Sequence, residues 1–550
     1  MANSNVKTFG KSKSGAVRSG FRVESVSANE VGYYRKIFDS FTVDSDGCIS
    51  PLELMNRINA AGLSPRDPRI RDALDKPAQG ATVQDLGFNF DRFVEVCQVG
   101  GQLVARALRG DLVIPDFASL TADIKEMYNS LIDVNSGKVA DYIPQLSRVN
   151  PNQFGVALCT IDGQRFSAGD AEISFCVQSV CKPINYCLAL EEHGAEVVHR
   201  HVSCEPSGLG FNELSVNNDG LPHNPMINSG AIMSTSLLQP AVAIADRFEY
   251  VADTWRRLAA GGSVGFNNAV YLSERKTADR NFALGYFMRE HDAFPDGTDL
   301  LETLEFYFQC CSIEVDTNAL SVVAGTLANA GINPLTGDRV FSVDTVQKCL
   351  SLMSSCGMYD YSGQFAFTIG LPAKSGVSGA LMLIVPGVMG VGVWSPRLDP
   401  LGNSVRAVEF SKKIVAAYNF HVFDSLTVDE SSSKRDPRRK RNEGQVEATI
   451  RLLWSASRGD LDELRALLAT GVEAGAADYD GRTALHVAAA EGHLAVVQFL
   501  IDHGADASAH DRWGGTPLTD AERGGYTRIA DALKRAESSV STALDTANPA

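Results

Sequence analysis

The segment FCVQSVCKP, Phe175 to Pro183, carries two pairs of reactive side chains. Cys176 and Cys181 bracket it in the manner of a metal or redox pair. Ser179 and Lys182 lie one helical turn apart, the spacing of a serine nucleophile and an amine that takes its proton. Such an amine is a base near neutral pH only where apolar surroundings hold its pKa down, so the pair needs the start of a helix packed into the fold. Ser-x-x-Lys occurs at Ser4/Lys7, Ser179/Lys182, Ser273/Lys276 and Ser431/Lys434. The first and last copies lie in polar, tail-like text, and Ser273 stands in SERKTADR, too charged to desolvate a lysine. Only Ser179 sits between an apolar approach (ISFCV) and an apolar helical run (PINYCLAL). Context therefore selects Ser179 and Lys182. The two cysteines, with no ligand or redox partner nearby in sequence, read as small buried apolar residues.

A second element supports that choice. Penicillin-recognising enzymes set a Lys-[Ser/Thr]-Gly strand across the site from the Ser-x-x-Lys helix. Here Lys374-Ser375-Gly376 heads the apolar strand AKSGVSGALMLIV; a second KSG, Lys13 to Gly15, shows that the tripeptide alone is common. FGVALCTIDGQRFSAG, with an Asp162-Gly163 turn, reads as a hairpin just before the helix. Sheet, helix and strand in this order predict an α+β, β-lactamase/transpeptidase-like domain and an acyl-transfer hydrolase.

The rest of the chain must position these groups. At 550 residues, 44% hydrophobic and 21% charged, two to four domains are expected. A net charge of −16 argues against general binding to nucleic acid or anionic membranes. The longest apolar run, Ala380 to Trp394, falls short of the about 20 residues of a membrane span and reads as buried strands around a turn. Eleven cysteines without a C-x2-C pair, and ten histidines without H-x-x-x-H spacing, give no metal constellation. No apolar leader occupies the first thirty residues, so a reducing compartment is expected, the cytoplasm first. The mitochondrial matrix is the alternative, because residues 1–23 carry Lys7, Lys11, Lys13, Arg18 and Arg22 with no acid before Glu24.

Six regions follow: a tail (1–28), a helical domain (29–116), the catalytic domain (117–425), a charged linker (426–446), a repeat array (447–537) and a tail (538–550). In the first domain FDSFTVDSDGCISPLELMNRI resembles an EF-hand with Thr42, Asp44 and Asp46 at ligand positions 1, 3 and 5, Gly47 at the sharp turn and Glu53 at position 12. Thr42 is neutral where a carboxylate belongs, so an all-α EF-hand-like domain without bound calcium is expected. The basic cluster Lys434 to Arg441 reads as a solvated linker, with a localisation signal or anion patch as alternatives. Thr483-Ala484-Leu485-His486 recurs as Thr516-Pro517-Leu518-Thr519, 33 residues on, and Gly459, Gly492 and Gly525 keep the same step. That period, with GRTALHVAAAEGHLAVVQFLIDHGAD, resembles ankyrin repeats, which stack in a row and bind protein partners.

At this point the residues match something narrower. ADYIPQL, DGQRFSAGD, QSVCKP, EPSGLGFN, PHNPMINSGAI, SERKTADRNFALGY, LEFYFQCCSIEV, SSCGMYDYSGQFAF and LPAKSGVSG resemble the serine-dependent glutaminases, in order, over about residues 117–425. The flanking EF-hand-like and ankyrin regions match the layout of the animal kidney/liver-type enzymes. The resemblance implies hydrolysis of L-glutamine to L-glutamate and ammonia through a γ-glutamyl ester, in glutamine catabolism and glutamate synthesis. It implies Ser179 as nucleophile, Lys182 as its base, Tyr359 as proton shuttle to the leaving ammonia, and the N–H groups of Ser179 and Val377 as oxyanion hole. Substrate contacts carry over to Tyr142, Gln178, Asn228, Glu274, Asn281 and Tyr307, with Glu274 suited to the α-ammonium.

The resemblance further implies a homo-oligomer, a tetramer or filament, with no cofactor but phosphate or another anion as activator. One departure bears on the last point. Kidney-type members carry a basic GLRFNKLFL before the NPMxN segment, where this chain has GLGFNELSV, Gly208 to Val216. Gly210 and Glu213 replace two cations, which weakens any anion site there. Two rival readings are a penicillin-recognising acylase, against which Glu274, Asn281 and Tyr307 argue, and a catalytically silent scaffold built on the repeats.

Overall fold

The computed structural model describes residues 28–64, 67–75, 87–210, 213–424, 434–438, 442–469 and 471–546. The basic N-terminal tail lies outside the described residues, as do most of the charged linker and the Ser431 and Lys13 motif copies.

Helices Ala28–Phe38, Pro51–Ala60, Pro68–Asp75 and Phe90–Leu108 close over Tyr34, Ile37, Phe38, Phe41, Ile49 and Phe93, all buried. The EF-hand-like loop between the first two keeps its expected backbone. Asp44 Oδ1 accepts from the N–H groups of Asp46 and Cys48, Gly47 turns at φ +71°, and Ile49 pairs with Phe88 across a short antiparallel bridge.

The catalytic region is built on an antiparallel sheet. Its strands are β1 (Gly155–Thr160), β2 (Arg165–Gly169), β6 (Ala373–Ser375), β7 (Ala380–Val385) and β8 (Met389–Trp394), ordered β2-β1-β8-β7-β6. A smaller sheet pairs β3 (Phe175–Cys176), β5 (Ile313–Val315) and β4 (Val264–Phe266) in that order. The expected hairpin is β1–β2, with Gly163 at φ +89°, and the run Ala380–Trp394 is β7–β8 around a turn. AKSGVSGALMLIV differs from the single strand expected. It is two strands, because Gly379 at φ +92° reverses the chain and Gly376 N–H bonds Ala380 O at 2.9 Å.

Period-two alternation along β7 and β8 feeds two cores. Leu381, Leu383, Val391 and Val393 pack with helices Phe117–Asn129 and Val405–Ala417, whereas Met382, Ile384 and Trp394 join the larger helical core on the other face. Helix Thr317–Ala328 lies so close to that second face that a Cβ on Gly390 would come within 2.1 Å of Gly325 N. Through the helical core runs helix Cys181–Val198, whose first ten residues are all buried.

Helices Asn442–Arg458, Leu461–Ala469, Ala484–Glu491, Leu494–Asp502, Pro517–Arg523 and Thr527–Thr546 form the repeat array. Thr483 with His486, and Thr516 with Thr519, make reciprocal capping boxes 33 residues apart, and Gly459, Gly492 and Gly525 all turn with positive φ. The first of these helices begins inside the stretch read as linker. The basic cluster is likewise more anchored than expected. Lys434 pairs with Asp424 at 2.8 Å, Arg435 pairs with Asp123, and Arg435 N–H bonds Ala417 O.

Candidate active site

β3 delivers the chain into a single 3-10 turn, Gln178–Val180, which runs straight into helix Cys181–Val198. Gln178 is held at φ +47°, left-handed backbone that non-glycine residues seldom adopt. Strain of this kind, about 1–3 kcal/mol, persists where surroundings over-determine the conformation, and it concentrates at active sites. The turn presents the Ser179 hydroxyl while Lys182, one turn on, points into the core.

Lys182 is fully buried and its Nζ donates to Asn228 Oδ1 at 2.6 Å. Burial lowers its pKa to about 8, against the smaller opposing effects of the Cys311 and Cys181 sulfurs. The condition set by the sequence, a desolvated amine one turn from a serine, is met here. At Ser273/Lys276 it is not, since Lys276 is exposed on helix Asn268–Thr277.

Tyr359 opens a second strained turn, at φ +54°, and is buried. Its phenol is hydrogen-bonded with the Ser179 side chain and donates to Ser375 O at 3.0 Å; burial raises its pKa. Val377 lies in the β6–β7 turn, which is pressed onto the serine turn: a Cβ on Gly376 would stand 2.9 Å from Val177 O and 3.2 Å from Val180 Cγ2. The Ser375 and Ser378 hydroxyls beside it are buried without a hydrogen-bond partner among the described residues.

The remaining predicted residues include two hydrogen-bonded groups, one on Asn228 and Asn281 and one on Tyr142, Glu274 and Gln178. Asn228, at the start of helix Asn228–Ser236, also donates through Nδ2 to Asn281 Oδ1 at 3.1 Å. Tyr142 donates its hydroxyl to Glu274 Oε1 at 2.5 Å, with Gln178 Oε1 3.3 Å away. Tyr142 is 47% exposed, so its ring edge stands at the mouth while its hydroxyl reaches inward. Burial raises the Glu274 carboxyl pKa, opposed by the Tyr142 hydrogen bond and the nearby Gln178 amide, neither of them cationic. Tyr307, on helix Leu300–Cys311, is buried, and burial holds its phenol well above its usual pKa.

Sequence reasoning named the K-S-G motif but assigned no task to Lys374. The structure gives it one. Its fully buried Nζ donates to Ser375 O at 2.7 Å and Gly357 O at 3.1 Å, and stands 4.5 Å from the centre of the Tyr359 ring. Burial, then the nearby Lys182, lowers its pKa well below the usual lysine value. Lys374 thus ties together the two turns that bear Tyr359 and Val377. The motif was the available signal.

A family model described as Glutaminase matches residues 137–423, one described as Ankyrin repeats (3 copies) matches 452–542, and one described as EF-hand domain matches 35–115. The mitochondrial glutaminase liver isoform of Rattus norvegicus is 44% identical over 480 residues, covering 87% of this chain and 79% of that protein. Putative glutaminase 2 of Caenorhabditis elegans is 43% identical over 513 residues, covering 91% of this chain and 84% of that protein. Among solved structures, probable glutaminase ybaS superposes with a TM-score of 0.53 at 35% identity, over 56% of this chain and 99% of that one. The chain belongs to the glutaminase family, with an EF-hand domain before the catalytic domain and ankyrin repeats after it.

Proposed function

We propose that this protein hydrolyses L-glutamine to L-glutamate and ammonia through a γ-glutamyl ester on Ser179. The observation that carries the reading is the Ser179 hydroxyl bonded to the Tyr359 phenol, one helical turn from a buried, carboxylate-free Lys182. With its pKa brought down to about 8, the Lys182 amine is neutral in a useful fraction of molecules and takes the Ser179 proton as the oxygen attacks the side-chain amide. The N–H groups of Ser179 and Val377 receive the developing oxyanion; such fixed donors are commonly worth about 3 kcal/mol each. Tyr359 passes a proton to the departing ammonia, and water then cleaves the ester by the same route in reverse.

Glu274 supports the choice of a free amino acid. A buried carboxylate whose hydrogen-bond partners, Tyr142 and Gln178, are neutral suits an α-ammonium group. Asn281, Asn228, Tyr307 and Gln178 supply neutral polar contacts for the carboxylate and amide. The family relationship and the Glu274, Asn281 and Tyr307 set favour this reading over a penicillin-recognising acylase, and the buried Lys182 beside Ser179 favours it over a silent scaffold.

A homo-oligomeric, tetrameric or filamentous assembly and a protein partner for the ankyrin repeats belong to the same reading. Relatives named as mitochondrial favour the matrix over the cytoplasm as compartment. Among the described residues no helix is long and apolar enough to cross a membrane. Loss of two cations at Gly210 and Glu213 makes phosphate a weak activator. The test is ammonia release from glutamine by the purified chain over a phosphate series. Activity that Ser179→Ala abolishes supports the proposal. A wild-type protein silent at every phosphate concentration, or one that hydrolyses nitrocefin instead, overturns it.

A further inference from the structure

Cys181 and Cys176 fail as a pair, yet Cys181 has a partner that lies 130 residues away. Its Sγ stands 3.8 Å from Cys311 Sγ, and both residues are buried. Cys181 is the first residue of helix Cys181–Val198, directly before Lys182, and Cys311 is the last residue of helix Leu300–Cys311, one turn beyond Tyr307. The dithiol therefore joins the ends of the two helices that carry the proposed base and one proposed substrate contact. Through Lys182 and Tyr307 the sulfurs border the proposed site.

We propose that the Cys181–Cys311 pair is an oxidisable dithiol, a modification site for hydroperoxides reached through the substrate entrance, and that its disulfide blocks the active site. Hydrogen peroxide is smaller than the amino acid that must reach Ser179, and it has to pass beyond the serine, because Cys181 is fully buried and Cys311 is 6% exposed. In the first step the Cys181 sulfur attacks one peroxide oxygen, the O–O bond breaks, and the departing hydroxide leaves as water with the thiol proton. The sulfenic acid so formed is attacked by the Cys311 sulfur, an S–S bond forms, and the sulfenic oxygen leaves as a second water. Two thiols lose two electrons and two protons, and one peroxide accepts both. The neutral Lys182 amine is the nearby base for the first proton.

Closure has a mechanical consequence. A disulfide spans about 2.05 Å, so the sulfurs must approach from 3.8 Å, drawing the first turn of the serine helix towards the end of the Tyr307 helix. A displacement of that order in a catalytic pair costs about 10²-fold in rate. Burial and the mutual hydrogen bond hold the Cys311 thiol protonated, which makes the reaction slow and favours it at alkaline pH.

The effect on turnover rests on the glutaminase reading, whereas the cross-link does not, so the two are read separately. The full-length protein is treated with hydrogen peroxide, and its tryptic peptides are weighed alongside an ammonia-release assay. A Cys181–Cys311 linked peptide is expected, lighter by two hydrogens, with loss of about 10²-fold in activity that dithiothreitol restores. Cys181→Val, and independently Cys181→Ser, form no such link, and whatever activity each has before treatment is unchanged after it. Absence of the linked peptide, a link between other cysteines in its place, or equal inactivation of the Cys181 variants overturns the proposal. A chain that forms the link but never releases ammonia sinks the functional reading and leaves the modification site standing.

Discussion

Lys182 Nζ meets Asn228 Oδ1 at 2.6 Å, and among the described residues no carboxylate contributes to its electrostatics. Its charge is therefore held only by a neutral amide, and burial lowers its pKa to about 8. Only the deprotonated amine can accept the Ser179 proton, so turnover rises with pH through that region and levels off above it. Lys182→Arg keeps a cation there at every working pH. It should lower kcat by about 10²–10⁴-fold and remove the rising limb. A kcat profile from pH 6 to 10 measures both effects; a limb that survives in the arginine variant assigns the titration elsewhere.

Glu274 answers to a different parameter. If its carboxylate takes the substrate ammonium, Glu274→Gln raises KM by about 10–100-fold while kcat changes far less, since the contact is formed before the chemistry. Burial already lifts this carboxyl pKa, and the Tyr142 hydrogen bond opposes the lift. Removing that bond in Tyr142→Phe lifts it further, so the rise of KM on acidification begins at higher pH. Steady-state kinetics across pH with both variants separates the two residues. Equal loss in kcat for Glu274→Gln contradicts a binding role.

These contacts show what the sequence could and could not disclose. The proposed Ser179 and Lys182 pair was legible because the two residues sit within one helical turn, so spacing and apolar flanks suffice to single them out. The capping boxes of the repeats and the β1–β2 turn were legible for the same local reason. Glu274, Asn281 and Tyr307 stand on three different helices, and no local pattern links them; only the family resemblance named them. Lys374 was visible as a motif, but its hold on Gly357 and Ser375 depends on a hairpin that was read as one strand. Cys311 was beyond reach, because its partner is 130 residues away and the link is through the core.

The helix that follows the EF-hand-like loop, Pro51–Ala60, brings a cation of its own to Glu53. Arg57 donates to Glu53 Oε1 at 2.9 Å, to Ser40 O at 2.8 Å and to Ser40 Oγ at 3.0 Å, and stands 3.9 Å from the centre of the Phe41 ring. Glu53, the expected bidentate ligand, is thus engaged by a guanidinium, while the Thr42 hydroxyl donates to Asp462 Oδ1 at 2.8 Å. Millimolar calcium should leave the melting temperature unchanged and give no heat in titration calorimetry. Arg57→Ala should destabilise the protein by about 1–3 kcal/mol by stranding its partners. Micromolar calcium binding by the wild type would falsify the view of this loop as cation-independent.

The linker prediction follows from a discrepancy. A run of basic residues reads as solvated, because exposed like charges repel and favour extension. Asp123, on helix Phe117–Asn129, changes that outcome: Arg435 pairs with it, the Tyr418 hydroxyl donates to it, and Arg435 also stands 5.0 Å from the centre of the Tyr418 ring. Parallel bridging of Tyr418 and Arg435 then fixes the backbone, so the segment leading to the ankyrin helices starts from a defined point on the catalytic domain. Both charged side chains remain partly exposed, so the ion pair alone is worth no more than about 1 kcal/mol. Local opening scales with that energy: Asp123→Ala should speed tryptic cleavage at Lys434 and Arg435 by up to about fivefold, with ammonia release unchanged. Limited proteolysis read by mass spectrometry measures the rate. Cleavage at the wild-type rate in the variant means that the backbone bonds alone hold the segment.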